Sequence, residues 1–123
     1  MPDIHASTIG QVILLAREMQ QATQIGAHDG VRDATAGSLA AQEFAAFVSG
    51  LNEEQQYSLV AVMWIGRGSF DAAEFDEAYI TAQQEAVNST EQYLQGVPLL
   101  ADHLEAGLEA LGIDPGEVED DLL

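Results

Sequence analysis

Apolar residues recur at helical spacing almost from end to end of this chain, and no stretch alternates as a half-buried strand does. Ile9, Val12, Ile13, Ala16 and Met19 share one helical face, which predicts a first helix from Ser7 or Thr8 to about Thr23. Gly26-Ala27-His28-Asp29-Gly30 interrupts that pattern, and the small, polar stretch up to Gly37 reads as a loop. Ser38 suits the N-cap of a second helix that Gly50 ends, with Phe44, Phe47, Val48 and Leu51 as its buried stripe.

The third helix announces itself at both ends. Asn52 followed by Gln55 has the spacing of a capping box, in which each side chain binds the other residue's amide. Gly66-Arg67-Gly68 terminates the helix. Between them Leu59 to Ile65 is apolar on every face, as in a helix enclosed on several sides. Asp71 with Glu74 forms a second capping box and starts a fourth helix reaching Val87 or Asn88. Phe75, Tyr79, Ala82 and Ala86 line its inner face, and Glu74, Glu77, Thr81 and Glu85 its wet one. Thr90 caps a short helix to about residue 96. Pro98, which lacks an amide hydrogen, then suits the first position of a last helix ending at Leu111. Leu100, Leu104, Leu108 and Leu111 are its core stripe, and Gly112 stops it. The predicted fold is all-α, a compact bundle of about five helices around a central apolar helix. Residues 1–112 form one domain, and the acidic stretch 113–123 a frayed tail. Because the third helix is so apolar, a second copy covering part of it, a homodimer, is also expected.

Length and charge narrow the function classes. A chain of 123 residues needs no disulfide or metal to fold, and with no cysteine it has no thiolate zinc site or cysteine nucleophile. Twenty-one acidic residues stand against three arginines and no lysine, for a net charge of −18. Sixteen of the acids fall in residues 51–123, where Arg67 is the single cation. Such a chain repels phosphate backbones and anionic membranes. The acidity has three readings: solubility or salt adaptation, docking onto a basic protein partner, or mimicry of DNA. Met1 to His5 carries no basic segment of a secretory signal, and the longest apolar run is far short of the ~20 residues that cross a bilayer. The expected compartment is the bacterial cytoplasm.

From Leu51 onward several segments resemble a known family. They are Leu51-Asn52-Glu53-Glu54-Gln55, then Val62-Met63-Trp64-Ile65-Gly66-Arg67-Gly68 with Phe70-Asp71. Thr90 to Asp102 and Leu104-Glu105-Ala106-Gly107-Leu108 follow. The chain is similar in these to an uncharacterised bacterial domain-of-unknown-function family of short, stand-alone proteins. The segment Val12 to Met19 resembles the family's opening more weakly, and the stretch 26–37 is shorter and less acidic than the family's. The resemblance implies no activity, cofactor or partner.

Candidate chemistry is sparse. Arg67, between two glycines, is either an anion-binding arginine or part of a helix-terminating turn whose glycine is left-handed. His103 lacks every partner that a zincin, zinc deaminase or di-iron signature demands, and reads as a boundary residue. Asp102, Glu105 and Glu109 form one acidic row, and Glu74, Glu77 and Glu85 another. A divalent cation would bridge them only if the two rows faced each other. No Gly-x-Ser-x-Gly elbow or glycine-rich phosphate loop occurs, and no cofactor is expected. Two function classes follow. One is a non-enzymatic interaction module with an acidic face. The other is a small ligand-binding protein or enzyme with a site around Trp64, Arg67, Tyr93 and Asp102, formed if the stretches 64–71 and 93–102 converge.

Overall fold

The computed structural model describes residues 6–29, 31–85 and 89–113, with side-chain surroundings for 7–20, 39–85 and 89–113. Among them are six α-helices and no strand: α1 (Ala6–Asp29), α2 (Val31–Ser49), α3 (Glu53–Arg67), α4 (Phe75–Gln84), α5 (Thr90–Gln95) and α6 (Leu100–Ala110), with a 3-10 turn at Ala72–Glu74 before α4. The bundle is all-α, as the periodicity requires. The acidic tail lies outside the described residues from 114 onward, as does the inward position expected for Ala86.

The loop expected over 26–37 is replaced by helix on both sides: α1 runs to Asp29 and α2 starts at Val31. Isolated glycines such as Gly26 and Gly37 cost only ~1 kcal/mol each in a helix, little enough for the packing of α1 against α2 to offset. α1 and α2 pack together as an antiparallel pair, with Met19 and Ala41 meeting at one depression. Ile9, Val12, Ile13, Ala16, Phe44 and Val48 are buried in the shared core.

The third helix is set as its sequence demands. Asn52 Oδ1 accepts from the Gln55 amide at 2.8 Å, and Gln55 Oε1 accepts from the Asn52 amide at 3.1 Å. Gln56 Nε2 donates to the carbonyls of Val48 and Leu51, both at 3.0 Å, tying the end of α2 to the start of α3. Ser58 to Ile65 are all buried, and what buries them is this chain itself: α6 on one side, α4 on the other and α5 at the end. The apolar run therefore gives no reason for a second copy.

Gly66 does not end α3. It lies inside the helix, and a Cβ there would collide with the His103 carbonyl and stand 2.7 Å from the Gly107 amide nitrogen of α6. A Cβ on Gly107 would in turn strike the Val62 carbonyl, with Val62 Cγ1 at 2.8 Å. The two glycines let the backbones of α3 and α6 touch. The terminator is Gly68, at φ +90°. Its amide donates to the Ile65 carbonyl at 3.1 Å and the Ser69 amide to the Trp64 carbonyl at 2.9 Å, the paired bonds of a left-handed helix stop. The same device closes α6: Gly112, at φ +85°, donates to Glu109 and Ile113 to Leu108.

The last helix starts two residues later than the proline rule suggests. Leu99 adopts a left-handed backbone, φ 57° and ψ 33°, so the helix begins at Leu100. For a residue with a Cβ this conformation costs about 1–2 kcal/mol. Leu100, Leu104 and Leu108 are buried, and α6 packs on α1 as well as α3.

Candidate functional site

At 3.6 residues per turn, Tyr57, Val60 and Trp64 lie on the side of α3 opposite Val62 and Gly66. They face α4 and α5 across a cleft of about 110 Å³, completed by Ala82 of α4, by Glu85 just after it and by Thr90 and Tyr93 of α5. Its aromatic walls are held from behind. Trp64 Nε1 donates to the Tyr93 hydroxyl at 2.9 Å. Phe70, just past the α3 stop, stacks on the Trp64 ring at 5.8 Å and 29°. Tyr57 meets Tyr79 of α4 edge-on at 5.9 Å and 89°. Glu85, the exposed residue after α4, is the one charged residue among the described residues that line the cleft.

Tyr93 also borders a second, shallower depression with Arg67, His103 and the turn Gly96 to Leu99. The stretches 64–71 and 93–102 thus meet in the fold. Of the four residues singled out from the sequence, Trp64, Arg67 and Tyr93 are brought together around these two concavities. Asp102 is not: it stands exposed in the first turn of α6 and lines neither. Arg67 is exposed at the end of α3, where a cation suits the helix dipole, and its Nε donates to Ser69 Oγ at 3.1 Å. That accounts for the glycine-flanked arginine as part of a helix stop. The sequence pattern puts Glu85 on a wet face. Its part in the cleft, and that of Tyr57, depends on how the end of α4 meets α5, which no local pattern records.

The two acidic rows cannot share a cation. α4 and α6 lie on opposite sides of α3, and Glu105 is engaged by Arg17 of α1. Among the described residues no group of three His, Asp or Glu is placed to hold a metal ion. No helix among them is long and apolar enough to cross a membrane. Of the eleven exposed carboxylates among the described residues, seven lie on or beside α3 and α4: Glu53, Glu54, Asp71, Glu74, Asp76, Glu77 and Glu85.

These features define an all-α bundle with an acidic surface and a small aromatic cleft. Residues 41–113 match the family model described as protein of unknown function, DUF3775, and the chain belongs to that family. The match begins inside α2 and ends just past the α6 stop, so it takes in the glycine contact and the cleft and leaves out α1, where the weaker resemblance lay. Neither the curated proteins nor the solved structures give a match.

Proposed function

We propose that the chain is a non-enzymatic interaction module of the bacterial cytoplasm, docking a basic protein partner on the acidic surface of α3 and α4. The observation that supports this reading is the set of seven exposed carboxylates along that helix pair, with Arg67 the only cation from residue 51 onward. Charge of this kind acts mainly by speeding encounter and selecting partners of opposite sign. The test is capture on the immobilised chain, eluted in salt steps, alongside a variant carrying Glu74→Gln, Asp76→Asn and Glu77→Gln. A basic protein held by the parent chain, released by moderate salt and lost by the variant supports the module. Capture indifferent to both salt and neutralisation would falsify it.

A further inference from the structure

The cleft between α3, α4 and α5 has its own chemistry, sharing only Glu85 with the acidic docking surface and needing no partner protein. Three aromatic side chains, Tyr57, Trp64 and Tyr93, line a space of about 110 Å³. That is well under the roughly 300–1,000 Å³ of sites for drug-sized ligands and leaves room only for a small group. Aromatic rings present a negative quadrupole on their faces and attract cations, tryptophan most strongly. Glu85 is an acidic residue on the same lining, and none of the described lining residues is cationic. The rings are also fixed in advance by the Trp64–Tyr93 hydrogen bond, the Phe70 stack and the Tyr57–Tyr79 contact, so little ordering cost remains for binding.

We propose that this cleft binds an alkylated ammonium group, held by Tyr57, Trp64 and Tyr93 with Glu85 as counter-charge. A weakly hydrated, methylated ammonium suits it better than a bare one, because the aromatic and aliphatic walls give its methyl groups apolar contact and a bare ammonium loses more water on entry.

Trp64 is the only tryptophan in the chain, so its fluorescence reports on the cleft directly. The full chain is titrated with choline, with its neutral isostere 3,3-dimethylbutan-1-ol, and with sodium chloride at matched ionic strength. The indole N–H resonance of Trp64 is followed by NMR as a second readout. The expected result is a saturable change with choline, no saturation with sodium, and binding of the neutral isostere weaker by at least about fivefold. Glu85→Gln should weaken choline by about threefold, and Tyr57→Leu by about five- to tenfold. Glu85 is exposed and its carboxylate sits at a helix C-terminus, so its neutralisation should not lower Tm. N-acetyl-trimethyllysine amide, titrated in parallel, distinguishes a side-chain source from a free one by which binds tighter. Choline that fails to saturate in both readouts, or a neutral isostere that binds equally well, overturns the proposal.

Discussion

The two sides of α3 solve the same packing problem in opposite ways. Toward α6 the contact is made by Gly66 and Gly107, and the backbones touch with no room for a methyl group. Toward α4 and α5 it is made by Tyr57 and Trp64, whose rings hold the helices apart and leave a cleft. Small residues yield a seam without space. Large, mutually braced ones yield a lined cavity. A helix that is apolar on every face can thus present a sealed side and a receptive side at once, and which is which depends on the size of a few residues.

The sealed side should break most severely. Gly66→Ala or Gly107→Ala places a Cβ against backbone of the facing helix, which no side-chain rotamer relieves. Alanine in a helix interior normally adds ~1 kcal/mol of stability over glycine. Here overpacking should reverse the sign and cost about 3 kcal/mol or more, a Tm drop on the order of 10 °C for a chain of this size. A thermal melt checks it. An unchanged or raised Tm at either position would mean that α3 and α6 do not touch.

The receptive side should be more forgiving. Tyr93→Phe removes the acceptor of the Trp64 indole N–H but keeps the ring. Trp64 is buried, so an unsatisfied donor costs about 1–3 kcal/mol. Because Tyr93 is 40 % exposed, water can reach the edge of the site, and a loss at the low end of that range is expected. The indole N–H shift in an NMR spectrum should move in the same variant. If it stays put, the bond to Tyr93 does not hold Trp64.

Loss of the α3 cap should act on both sides alike. Asn52→Ala deletes the acceptor for the Gln55 amide, at a cost of about 1 kcal/mol. Denaturant midpoints measured in the parent chain and again in a Gly66→Ala or a Tyr93→Phe background should shift by the same amount, since distant sites add. A shift that depends on the background would show that the α3 start is coupled to one side.

Where sequence patterns failed, the reason is that they are local. The capping boxes at Asn52 and Asp71, the stop at Gly112 and the stripes of α1 and α6 were legible because each is fixed by residues within one or two turns. Gly66 was read as part of the helix end because a glycine near the end of an apolar run also fits a terminator. Only the position of Gly107 across the seam shows its real use. The one available signal was that an isolated glycine inside a helical pattern usually has a packing reason. Trp64 and Tyr93 were legible as a meeting point because their segments carry recognisable motifs. Asp102 lies in such a motif, although its exposed helix-start position keeps it away from both concavities. Glu85 has the local pattern of a solvated acid.

The smallest effect belongs to the ion pair that ties the far side of α6 to α1. Arg17 binds Glu105, but the two side chains are 38 % and 25 % exposed, so water and salt screen them and the pair contributes little to stability, about 0.2–1 kcal/mol. A double-mutant cycle with Arg17→Met and Glu105→Gln isolates the coupling. It should shrink toward zero as salt is raised to ~1 M, where the screening length falls to ~3 Å. In a chain with 21 acids and three arginines, Arg17→Met also deletes a cation that offsets general repulsion. That single substitution should therefore lose more at low salt than the cycle assigns to the pair, and the excess should disappear with the same added salt. A coupling that survives high salt would mean that the pair is shielded from solvent and fixes α6 against α1. The stability of the seam would then rest on charge as well as on the two glycines.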